Sequence, residues 1–101
     1  MNKVSDISSI HSLYVGSRDG RTFTEADRQF VTDTVAASFD CFTVVDADGY
    51  FKGRSIATLV IKIATNDAIL VEDLAQNLGV LLEQKAVGLE AAGRYRSITM
   101  G

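Results

Sequence analysis

The stretch Asp46-Ala47-Asp48-Gly49-Tyr50-Phe51-Lys52-Gly53-Arg54-Ser55 puts two aromatics, two cations and two glycines between two strongly apolar segments. Aromatic faces stack on planar rings and guanidinium forks pair with phosphates, so these residue types together suit a small nucleotide. Reversing a chain between strands takes only a few residues, so a connection of this length reads as a binding loop. The structural alternative is a long twisted hairpin whose aromatics cover a sheet edge. Tyr50 and Phe51 are the stacking candidates, with Arg54, Arg94 and Arg96 as phosphate partners. Adjacent strand residues point to opposite faces, so one of the two aromatics is expected to meet a ligand and the other to pack.

Gly16-Ser17-Arg18-Asp19-Gly20-Arg21 is a second place for an anion. Its glycines allow backbone N–H groups to converge, and Arg18 and Arg21 add forked donors. Its serine does not sit in the G-x-S-x-G spacing of a nucleophile elbow, which gives hydrolase chemistry no support. Asp46 and Asp48 form a D-x-D-G sequence without the later ligands of a calcium loop. His11, the single histidine, lies in an expected strand with no Cys/His/carboxylate set at metal-ligand spacing, and reads as structural. Cys41 is the single cysteine; inside Cys41-Phe42-Thr43-Val44-Val45 it reads as a small buried hydrophobe. The residues therefore point to binding without naming a ligand, and to no cofactor.

At 101 residues the chain is expected to form one domain. Hydrophobic residues make up 47% of it, yet no stretch reaches the roughly 20 apolar residues of a membrane span. Met1 to Asp6 carries no apolar run ahead of a cleavage site, so a cytoplasmic protein is expected. A net charge of −3 and a pI near 4.9 argue against general DNA or RNA binding, which needs a concentrated basic surface. The pairs Arg18/Arg21, Lys52/Arg54 and Arg94/Arg96 nevertheless hold more than half of the ten Lys and Arg residues, close to three turns.

These residues need elements to position them. Ile10 to Val15 alternates as a first strand, and Thr24 offers an N-cap with Glu25 and Asp27 in the first turn of a helix. That helix presents Phe30, Val31, Val35 and Phe39. A second strand starts near Cys41, and Ile56 to Ala64 forms a third. Asn66-Asp67 caps a second helix with Val71, Leu74, Ala75, Leu78, Leu81 and Leu82 as its apolar stripe. Gly79 weakens that helix by about 1 kcal/mol relative to alanine, which points to a close helix-to-sheet contact. Val87, Leu89 and Ala91 give a fourth strand, Ala92-Gly93 a turn, and Arg94 to Thr99 a short fifth strand or a tail reaching a neighbouring subunit. The order β-α-β-β-α-β with an extra C-terminal element predicts an α+β, ferredoxin-like sandwich on an antiparallel sheet. Leu13, Val15 and Val60 are expected on the sheet face away from the helices, so self-association should cover that face unless the C-terminal strand folds over it.

The segment Phe42-Thr43-Val44-Val45-Asp46-Ala47-Asp48-Gly49-Tyr50-Phe51-Lys52-Gly53, followed by Ser55 to Ile63, resembles the bacteriophage Thoeris anti-defence sponge family, type one. The pattern is an aromatic-Thr-x-x-x-Ala-x-Gly-aromatic-aromatic-Lys-Gly hairpin and a downstream apolar strand. Leu13-Tyr14-Val15-Gly16, the Thr24-Glu25 helix start and the Gln84-to-Leu89 return strand follow in the same order. The resemblance implies a non-enzymatic protein that binds a cyclic ADP-ribose isomer, or cyclic oligonucleotides, in the infected cell. It also implies a homo-oligomer, with a hexamer as the size suggested, holding ligands between subunits. The alternatives are an interaction or assembly subunit acting through an exposed sheet face, and a small ferredoxin-like enzyme acting on an apolar substrate. Ligand-binding candidates are Arg18, Arg21, Tyr50, Phe51, Arg54, Arg94 and Arg96, with no catalytic or metal-ligating residue.

Overall fold

Thr24 caps the first helix: its side chain accepts a 3.0 Å hydrogen bond from the Asp27 N–H, meeting one of the donors a helix start leaves unpaired. Asp67 does the same for the second helix through the Leu70 N–H at 3.0 Å. In the computed structural model, which describes residues 8–100, the order is β1 (Ser9–Gly16), α1 (Glu25–Ala36), β2 (Phe42–Phe51), β3 (Arg54–Thr65), α2 (Ala68–Leu81), β4 (Ala86–Ala91) and β5 (Arg94–Thr99). The N-terminal segment Met1 to Asp6 lies outside the described residues.

The strands form one antiparallel sheet in the order β2-β3-β1-β4-β5. The first four in that order make the expected ferredoxin-like arrangement, and β5 extends it at the β4 edge. The C-terminal segment is thus a fifth strand in the plane of the sheet and leaves the face opposite the helices uncovered. Val31 and Val35 of α1 and Val71, Leu74, Ala75 and Leu78 of α2 pack with Leu13, Val15, Leu59, Ile61, Ile63, Val87, Leu89 and Ile98 in the core. Among the described residues no helix is long and apolar enough to cross a membrane.

Several sequence expectations change in detail. Leu13 and Val15 are fully buried under the helices, so the alternation of β1 runs the other way and turns Ser12, Tyr14 and Gly16 to the open face. Val60 pairs with Tyr14 and Val45 and does lie on that face. Cys41 is exposed because it precedes β2 and its strand alternation never begins. Phe30 and Leu81 are partly exposed, at the margins of their helical stripes. Gly79 is approached closely by the Met100 side chain just past β5, so the tight contact expected there comes from the chain end beside the sheet.

The largest change concerns Asp46 to Ser55. All but Lys52 and Gly53 are strand, paired from Phe42↔Ile63 out to Phe51↔Arg54, so the segment is a long hairpin and not a loop. Lys52 and Gly53 have φ of 51° and 78°, the left-handed pair that a two-residue turn needs to match strand twist. The β1 pairing ends at Gly16↔Thr58. The hairpin therefore runs on beyond the body of the sheet as an arm tipped by Tyr50, Phe51, Lys52 and Arg54.

Candidate functional site

Directly paired residues share a face, so the registers fix what the open face displays. Tyr14 lies opposite Gly88, Ser12 opposite Glu90, Gly88 opposite Ser97 and Glu90 opposite Tyr95. On the hairpin side Gly16 lies opposite Thr58 and Gly49 opposite Ile56. Gly16, Gly49 and Gly88 thus lower the floor of this face, and longer side chains stand around them. A groove of about 430 Å³ runs here, lined in part by Tyr14, Phe51, Ile56, Gln84, Gly88 and Tyr95.

Tyr95 shows why glycine occupies position 88. A Cβ there would stand 2.8 Å from Cε2 and 2.9 Å from Cζ of Tyr95, so the hydroxyl end of the phenol lies over the β4 backbone. It reaches Tyr14, with ring centroids 6.0 Å apart and planes inclined by 55°, a spacing within the range of favourable tilted aromatic pairs. The Tyr14 hydroxyl donates a 2.6 Å hydrogen bond to Glu90 Oε1. That bond, followed by burial and the Glu90 charge, holds the Tyr14 phenol above its ordinary pKa, so Tyr14 stays neutral. At the other end the Gln84 amide donates to the Ser17 and Leu82 carbonyls at 3.1 and 2.9 Å, fixing that wall.

A second recess of about 460 Å³ adjoins the groove, the two sharing Phe51 and Ile56. It is lined by Asp19, Gly20, Arg21, Arg54 and Ser55 as well. A third depression holds Arg28 and Asp46, already joined as an ion pair at 3.3 Å.

The structure separates the sequence candidates. Tyr50 and Phe51 both line the groove and are 72% and 63% exposed; the arm ends beside the groove, so the aromatics meet it together although strand alternation sends them apart. Arg54 and Arg21 line the second recess. Arg18 is engaged elsewhere, pairing with Asp27 and Glu83 at 2.9 Å each. Arg96 sits on the helix side of β5, opposite Leu89, and pairs with Glu72 of α2. Arg94, opposite Ala91, is on that same side. The Ser17–Thr22 loop binds its own anion: Asp19 Oδ1 accepts from the Arg21 and Thr22 N–H groups at 2.8 and 3.1 Å. These bonds, the Arg21 one largest, hold the Asp19 carboxyl below its ordinary pKa, and they occupy N–H groups that were expected to converge on a ligand.

Tyr14, Tyr95 and Glu90 were not among the sequence candidates. The signal for Tyr95 was available in Arg94-Tyr95-Arg96, since alternation must send the tyrosine to the face the arginines leave. His11 is buried between β3 and β4, opposite Ile63 and Ala91, away from the groove. Among the described residues no group of three His, Cys, Asp or Glu side chains is placed to hold a metal.

No family model matches the sequence, and no curated protein matches it. Solved structures do match. A phage SAM lyase in complex with S-methyl-5′-thioadenosine aligns with a TM-score of 0.70 at 17% identity, covering 98% of this chain and 95% of the lyase. A phage SAM lyase in the apo state aligns with a TM-score of 0.61 at 19% identity, covering 98% and 94%. The chain shares its fold with phage SAM lyases. The expectation of a protein that is not an enzyme is overturned here, because both of these solved proteins are lyases. Of the family resemblance, a fold found in phage proteins holds, and neither neighbour is a sponge.

Proposed function

We propose that this chain is an enzyme, a lyase that takes S-adenosylmethionine in the open-face groove and releases S-methyl-5′-thioadenosine. The observation that carries this reading is an aromatic groove over a glycine floor, in a fold shared almost end to end with a lyase complexed with that thioadenosine. The adenine ring suits the faces of Tyr95, Phe51 or Tyr50, and a sulfonium cation suits the same π surfaces. Removing the methyl donor from an infected cell would deprive any host defence enzyme that requires it, which keeps an anti-defence role within the reading.

S-methyl-5′-thioadenosine retains both the methyl and the adenosyl group, so the bond that breaks is between sulfur and Cγ of the methionyl arm. The residues lining the groove include no cysteine and no histidine, and the Thr58 hydroxyl is committed to the Ile56 carbonyl at 2.8 Å. The substrate's own carboxylate can make the displacement without a protein nucleophile. An oxygen lone pair forms the O–Cγ bond of a lactone, the Cγ–S pair goes to sulfur, and no proton moves. The carboxylate and sulfonium charges cancel while the α-ammonium stays on the lactone, a change favoured over bulk water once a bound substrate and a second copy exclude water from the groove. The enzyme's part is to fold the methionyl arm into the closing geometry.

The same face supports a homo-oligomer, because a second copy would cover Val45, Val60 and Ile10 and deepen an otherwise open groove. Light scattering at micromolar concentration tests this, and a monomeric mass would count against it. Calorimetry tests the ligand class. S-methyl-5′-thioadenosine is expected to bind and a cyclic ADP-ribose isomer to bind more weakly or not at all; the reverse order would return the ligand to the one the sponge resemblance implies.

A further inference from the structure

Arg21, Arg54 and Arg94 have no carboxylate partner among the described residues, whereas Arg18, Arg28 and Arg96 are all paired. Arg94 lies on the helix side of β5; Arg21 and Arg54 line one recess, and Lys52 stands near it with its ammonium 5.3 Å from the centre of the Phe51 ring. The one acidic group lining the recess is Asp19. Its Oδ1 takes the loop hydrogen bonds from Ser17, Arg21 and Thr22, which leaves Oδ2 available as an acceptor on a carboxylate held in its charged form. Two forked cations and a fixed anion in one recess make a receptor for a zwitterion. Phe51 and Ile56 form the boundary shared with the aromatic groove.

We infer that this recess is the amino-acid subsite of the enzyme: Arg21 and Arg54 take the α-carboxylate of the substrate and Asp19 its α-ammonium, with the sulfonium passing over Phe51 from the adenosine groove. The inference rests on the lyase reading above. One carboxylate oxygen held by a guanidinium leaves the other free to close on Cγ. The thioether product lacks both charged groups, so the recess would hold substrate and let product go, which directs its affinity to the reacting species.

Two probes separate the subsites. S-adenosylhomocysteine keeps the amino-acid end, and S-methyl-5′-thioadenosine lacks it. By calorimetry the wild type is expected to bind the homocysteine compound more tightly. Arg21→Ala and Arg54→Ala are each expected to weaken it about tenfold or more, the scale of a lost charged hydrogen bond, and to leave thioadenosine affinity unchanged. That unchanged affinity also reports that each variant is folded. Arg54→Lys should recover part of the loss, since charge remains and the fork does not. A ratio of the two affinities that is the same in wild type and both alanine variants would overturn the subsite while leaving the lyase reading standing. A wild-type protein that binds neither probe would remove the lyase reading and the subsite with it.

Discussion

The hydroxyl of Tyr14 stands 2.6 Å from Oε1 of Glu90, closing a contact between residues 76 positions apart in the chain. β1 and β4 are adjacent in the sheet, with Ser12 opposite Glu90 and Tyr14 opposite Gly88, so the bond runs diagonally across the open face. It needs the phenolic proton. Because the folded-state pKa of Tyr14 is raised, its contribution to stability is complete below the ordinary tyrosine value of about 10 and is lost as pH rises through the raised folded value. In an ultraviolet titration, read as the difference between wild type and Tyr14→Phe, Tyr14 should ionise late. Glu90→Gln should bring it back toward the ordinary range, and Tyr14→Phe should remove it and cost about 1 kcal/mol of stability. A difference titration that places Tyr14 at the ordinary tyrosine value in the folded wild type would contradict this bond.

Gly88 serves Tyr95. A methyl group at position 88 collides with the flexible, exposed end of that side chain, so Gly88→Ala should fold and push the phenol off the strand. Ligand affinity should fall several-fold with little change in melting temperature, and Tyr95→Ala should produce a similar loss. Combined, the two substitutions should cost no more than either alone, because they remove the same ring. Additive losses would mean that Gly88 serves the ligand by some route other than Tyr95.

The β4–β5 turn carries an avoidable cost. Ala92 has φ of 53° and Gly93 φ of 74°, and a left-handed alanine is strained where asparagine is tolerated. Ala92→Asn should stabilise the protein by about 0.5 to 1 kcal/mol, seen as a higher urea midpoint at constant slope. A lower midpoint would show that this turn has a different geometry in solution.

Arg96 is assigned to structure. It joins Glu72 on the helix side of the sheet, so Arg96→Ala should leave ligand affinity unchanged and alter stability by no more than about 1 kcal/mol, the range of exposed ion pairs. Loss of affinity comparable to that of Arg54→Ala would place the ligand on the opposite face from the one described.

Strand and helix positions were legible in the sequence because local patterning decides them: both caps, both helices and the strand order needed for a ferredoxin-like sheet follow from spacing alone. Which face of β1 is buried was not, since Leu13-Tyr14-Val15 is apolar throughout and only packing against the helices selects Leu13 and Val15 for the core. The candidate site was legible on the arm, in Tyr50, Phe51 and Arg54, where unusual residue types cluster in sequence. Tyr14, Glu90 and Tyr95 come together through the pairing of β1, β4 and β5, and of the three only Tyr95 carries a local signal, its alternation with Arg94 and Arg96. The arginines misled where counter-charges lay far off in the chain: Glu83 is 65 residues from Arg18, and Glu72 is 24 from Arg96. Charge clusters in sequence report where cations are, and only the fold reports which are already neutralised.

The most direct measurement incubates the purified protein with S-adenosylmethionine and resolves the adenine-containing species by chromatography with mass detection over time. S-methyl-5′-thioadenosine should accumulate well beyond one equivalent of protein, with the four-carbon arm recovered as its lactone or the hydrolysed acid. S-adenosylmethionine recovered intact, whether it had bound or not, at the rate seen without protein would contradict the enzyme.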